Sequence, residues 1–142
     1  MAYPVLVNIA DNLIAKSSAA GFVSTGLLND QGHDWHDEPN ATAAYLGDAG
    51  ERNIEGPTRS ISPTAGFFFF TICKGDNPTR IFWALYKAVK DAIDADPTLG
   101  GLCHTARVTG YFSDKSVPQI SARVHTADIF VEVEYRHERG NA

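Results

Sequence analysis

Phe67-Phe68-Phe69-Phe70-Thr71-Ile72-Cys73 is the most apolar window of the chain, and its reading decides the fold. β-Propensity is high throughout and no charge interrupts the run, which predicts a strand buried on both faces. Left exposed, such a segment pairs with other chains. It must therefore be covered by helices of its own subunit or by a neighbouring copy.

Working outward, Lys74-Gly75-Asp76 turns the chain and Asn77-Pro78 opens a helix, with Asn as N-cap and Pro at the first helical position. Ile81, Phe82, Leu85, Val89, Ala92 and Ile93 form its apolar stripe, and Arg80, Lys87, Lys90, Asp91 and Asp94 its wet face. Asp96-Pro97 ends it, because the residue before proline leaves helical geometry. After the connector Thr98-Leu99-Gly100-Gly101-Leu102 comes a strand, Ala106 to Phe112. The last strand, Ala127 to Arg136, alternates Ile129, Val131, Val133 and Tyr135 with Phe130, Glu132, Glu134 and Arg136. That is period two, with one apolar and one mostly charged face.

On the N-terminal side, Val5, Leu6, Ile9, Leu13 and Ile14 recur at helical spacing, with Gly21 as the stop and a short extended piece from Phe22 to Thr25. Residues 29–42 hold almost no aliphatic side chain and read as a long loop. Residues 47–66, rich in Gly, Pro, Ser and Thr, read as a second loop with room for one short edge strand. The expected fold is α+β: one domain over residues 1–142, a small antiparallel or mixed sheet, two main helices packed on one face, and long loops.

The composition narrows function by exclusion. A length of 142 residues fits one core, and 44% hydrophobic with 20% charged residues is ordinary for a globular domain. No stretch approaches the roughly 20 apolar residues of a membrane span. Met1-Ala2-Tyr3-Pro4 begins nothing like a secretion signal, so the protein is expected to be made and kept in the cytosol. A net charge of −5 disfavours broad phosphate-backbone binding, although an acidic wall suits DNA that must slide past it. Cys73 and Cys103 lack metal or redox spacing and read as structural thiols.

One cluster merits a chemical test. His33-Asp34-Trp35-His36-Asp37-Glu38 mixes imidazoles and carboxylates, as hydrolytic metal centres do. In a loop, however, the spacing from His33 to His36 fixes no geometry, so the cluster is read as a partner-docking loop anchored by Trp35. Gly100-Gly101 is a turn without the Lys-Ser/Thr of a phosphate loop, and no nucleophile elbow or dinucleotide fingerprint occurs. His104, His125 and His137 are isolated in sequence, and Glu132 with Glu134 reads as a solvated or partner-facing sheet surface. No enzyme is expected, and no catalytic, cofactor-binding or metal residue.

Three features in order resemble the tail-terminator (tail-completion) family of long-tailed phages and phage-like particles: the helix running into Asp96 to Leu102, the strand Ala106 to Phe112, and the final strand ending Val131-Glu132-Val133-Glu134-Tyr135-Arg136. The resemblance covers residues 77–137. It implies a virion protein at the head-proximal end of the tail, a homo-oligomeric ring of about six copies closed by head-to-tail contacts. Such a ring caps the tail tube, stops its polymerisation and offers its other face to the head connector. Its partners are the tube protein and the connector, genomic DNA passes through without specific binding, and no membrane takes part. On this reading His33, Asp34, Trp35, His36 and Asp37 are partner-interface candidates, Phe67, Phe68, Phe69 and Phe70 subunit-interface candidates, and Glu132 and Glu134 pore-lining candidates. A head-completion, connector or minor tail protein is the nearest alternative. A metal-dependent hydrolase using residues 33–38 and a free-standing ligand-binding domain stand further off.

Overall fold

The structure is a computed structural model that describes the backbone of residues 5–28, 42–55, 60–113, 124–135 and 137–138 and the side chains of 5–28, 42–51, 64–113 and 124–135. The elements run α1 (Val5–Ala20), β1 (Ser24–Leu27), β2 (Thr42–Glu55), β3 (Ser60–Lys74), α2 (Pro78–Ala95), β4 (Thr105–Ser113), β5 (Val124–Glu134) and the two-residue β6 (His137–Glu138). They form an α+β fold around one mixed sheet of order β1-β2-β3-β5-β4, with β6 pairing the start of β3. Among the described strands β1 and β2 pair in parallel and the other pairs are antiparallel.

The tetra-phenylalanine strand lies at the centre of the sheet and is fully buried on the helix-bearing face. Phe68 and Phe70 on the other face are only half-buried, so the expected burial on both faces holds in part. Phe67, Phe69 and Cys73 point to the helices, where α1 contributes Ile9 and Leu13 and α2 contributes Phe82, Val89 and Ile93. From β5, Ile129, Val131, Val133 and Tyr135 enter the same core, so the alternation read from the sequence holds. Ile72 turns the other way and is buried with Ala43 and Tyr45 in a second, smaller cluster.

The ends of the helices follow local chemistry, with one exception. Gly21 closes α1 at φ 123°, and Asp96 closes α2 with its N–H donating to the Ile93 carbonyl. Asn77 does not cap with its side chain as expected: it adopts φ 57°, ψ 52°, a left-handed turn that aims the chain into α2. Lys16 reaches Asp96 at 2.8 Å and ties the two helices together, while the other Asp96 oxygen accepts from the Gly100 N–H at 3.0 Å. Bonding to Lys16, and then to Gly100, holds the Asp96 carboxyl below its usual range.

The expectation of a loop over 47–66 is overturned. Residues 47–55 and 60–66 are the outer halves of β2 and β3, a long antiparallel hairpin paired as far as Glu55 and Ile61. Glycines and a proline hid it. Ala49 bulges out between Asp48 and Gly50, and Gly50 at φ 101° supplies the backbone the bulge needs. Pro63 pairs with Asn53 on one side only; on the other, β5 stops opposite Thr64 and β6 starts opposite Ile61. A proline with a strand neighbour on only one side disturbs the sheet less than one inside a two-sided ladder. The expected loop over 29–42 lies outside the described residues except for Thr42, which begins β2.

Candidate interaction surfaces

The sheet leaves three surfaces of distinct chemistry. The first is the face away from the helices. Phe68 and Phe70 from β3 are half-buried there, with Phe130 from β5 and Phe112 from β4 exposed. Phe68 lies across Gly47 on the neighbouring strand, where an added Cβ would clash with the atoms of its ring. Towards the hairpin the face opens into a groove of about 480 Å³ over Gly50 and Gly66, walled by Thr109, Phe130 and Glu132. Glycine on two adjacent strands is what makes room there.

Glu132 and Glu134, the pore-lining candidates, belong to this face. Glu132 is bridged by Arg107 from β4 at 3.2 Å, whereas Glu134 is exposed. The four phenylalanines divide. Phe67 and Phe69 point into their own subunit's core, the latter at 0% exposure, while Phe67 also forms part of the wall of a notch beside α1 and β1. Phe68 and Phe70 remain half-exposed on the open face. The partner-interface candidates His33, Asp34, Trp35, His36 and Asp37 lie outside the described residues.

The second surface is the β4 edge with the exposed side of α2. Tyr111 packs edge-on against Phe82 and Tyr86, with ring centroids 5.0 and 4.8 Å apart. Its hydroxyl accepts a hydrogen bond from the Trp83 indole N–H at 3.0 Å. Trp83 is 52% exposed yet held by that bond, so it stands out as a fixed aromatic projection. Arg80 and Lys87, one helical turn before and after it, are both exposed.

The third surface is the opposite edge, where α1 crosses β1 and β2. Leu6, Val7, Leu27 and Phe67 line an apolar notch of about 300 Å³, with Asp11 and Asp48 at its rim. The carboxylate of Glu51, also lining the notch, accepts a short hydrogen bond from the Tyr135 hydroxyl. Burial, then that carboxylate, pushes the phenol well above its ordinary range.

Sequence reasoning did not single out Trp83, Tyr111 or the notch. A signal for the first was present: a tryptophan between Arg80 and Lys87 on the wet face of a helix is a large apolar group where a charge is expected.

Catalytic chemistry has little to stand on in these elements. The Ser113 hydroxyl lies 3.2 Å from His125 Nε2, the separation of a nucleophile and its base. His125 Nδ1, however, is buried without a partner among the described residues, so no carboxylate orients the ring. The ring instead packs on Phe82, centroids 4.7 Å apart, and burial lowers its pKa. Burial also raises the thiols, Cys73 to about 12 and Cys103 to about 11, the latter with help from Asp96. Among the described residues no three His, Cys, Asp or Glu side chains converge as a metal would require, and no helix is long and apolar enough to cross a membrane. Comparison with protein-family models and with curated proteins finds no match for the chain.

Proposed function

We propose that this chain is a ring-forming structural subunit that ends the tail tube of a long-tailed phage or phage-like particle, stops tube polymerisation and presents the attachment surface for the head connector. The observation that carries the reading is the sequence resemblance: α2 running into the connector Asp96 to Leu102, then β4, then the alternating β5, three features in that family's order. The surfaces support it physically. Its largest exposed apolar side chains sit on its edges and open sheet face, the kind of surface that partners cover.

The proposed activity is competition by shape. A growing tube end recruits the next tube subunit through an exposed surface; a terminator matches that surface on one side and offers a different face outward. The open sheet face, with its phenylalanines and the groove over Gly50 and Gly66, is broad enough for such a contact. The acidic Glu134 suits a wall past which DNA slides without being held.

Gold-labelled antibody against the chain, imaged on intact particles of the genome that encodes it, tests the placement. Label at the junction of tail and head is expected. Label at the tail tip or inside the head, or none, contradicts the proposal.

A further inference from the structure

The two edge surfaces lie on one line. Leu27 on β1 pairs with Leu46, Leu46 with Phe69, Phe69 with Ile129, and Ile129 with Tyr111 on β4. The three inner members are 0–1% exposed, whereas Leu27 and Tyr111 at the two ends are each 39% exposed. The core row of the sheet thus runs out into solvent at both edges, at one level and on the helix-bearing face.

At the Tyr111 end stands Trp83, a projection flanked by Arg80 and Lys87; at the Leu27 end lies the notch, rimmed by Asp11 and Asp48. Projection meets hollow, and the Arg80 cation meets carboxylate, Lys87 being already paired with Asp91 on its own helix. Either surface set against its own copy would oppose like charges, which disfavours a two-fold dimer through either edge. The occupant each edge fits is the other edge of a second copy.

We infer that copies of this chain associate head to tail, with Trp83 of one seated in the α1/β1 notch of the next and Arg80 brought opposite Asp11. The inference deepens the ring reading and rests on it for closure, because a head-to-tail contact repeats until its rotation closes a ring. Trp83 is suited to anchor the contact: it is large, and its hydrogen bond to Tyr111 has already fixed its orientation.

Cysteine cross-linking of the full chain, with Cys103 replaced by serine, tests it in solution and in assembled particles. Asp11→Cys mixed with Arg80→Cys is expected to give mixed dimers, and the double variant a ladder ending in one closed species. Neither single variant should cross-link to itself. Trp83→Ala is expected to weaken self-association roughly tenfold or more. Arg80→Glu should weaken it too, and Arg80→Glu with Asp11→Lys should restore it, a rescue that damaged folding does not mimic. Like-with-like cross-links, or none in either setting, overturn the inference. Rings that form without the Asp11–Arg80 cross-link remove this interface and leave the ring. Cross-linked rings at a site other than the tail end keep the interface and remove the capping role.

Discussion

His125 shows how a single buried ring ties stability to pH. Its Nε2 faces Ser113, its Nδ1 is buried without a partner among the described residues, and burial lowers its pKa. Between the ordinary histidine value of 6.5 and the lower folded value, the unfolded chain binds the proton and the folded chain does not. The contribution of the neutral ring is therefore full above the ordinary value and is lost as pH falls towards the folded one. Thermal melts should show stability declining below about pH 6.5, and His125→Gln should flatten that part of the decline. An identical slope in the variant would assign the pH dependence to other groups. The thiols give a second expectation. With values near 12 and 11, Cys73 and Cys103 carry almost no thiolate at neutral pH. Native protein should resist a thiol reagent that modifies both once denatured, and rapid native labelling of Cys73 would contradict its burial. Phe69, buried on the helix side, and Phe68, half-exposed on the open face, should separate in equilibrium unfolding. Phe69→Ala is expected to cost about 3–5 kcal/mol; Phe68→Ala should cost clearly less.

At the scale of elements, the ends of α1 and the outer hairpin carry the instructive cases. Gly21 ends α1 at φ 123°, and a Cβ there would come within 3.1 Å of Leu85 Cδ2. Gly21→Ala should cost roughly 1–3 kcal/mol in chemical denaturation, from backbone strain with the added contact. A neutral effect would mean that this turn relaxes freely. Both helices, the tetra-phenylalanine strand and the last two strands were legible because each carries a full period of apolar residues: Ile9 and Leu13, Phe82 with Val89 and Ile93, Ile129 through Tyr135. The outer halves of β2 and β3 were not. Gly47, Gly50 and Gly66 erase the alternation there, and a proline usually argues against a strand. Their pairing is decided by neighbours: Phe68 rests over Gly47, and Pro63 sits in the gap between β5 and β6. The candidate surfaces were harder still to read. Periodicity distinguishes wet from dry, but it does not say that Leu27 and Tyr111 terminate the same cross-strand row.

For the whole molecule, the arrangement is a thin layer: one sheet, two helices on one side, and apolar side chains emerging on both edges and on the open face. Isolated in solution, a domain of this kind leaves Trp83, Phe112 and the notch wet. In the proposed ring, the edges would cover one another and the open face would be left for axial partners. The proposed function would assign the edges to copies of the chain and the open face to the tube or connector. The most direct test is the tail-length distribution, by electron microscopy, of particles made without this chain. Over-long or ragged tails lacking heads are the expected result. Tails of normal length joined to heads on infectious particles would contradict the account.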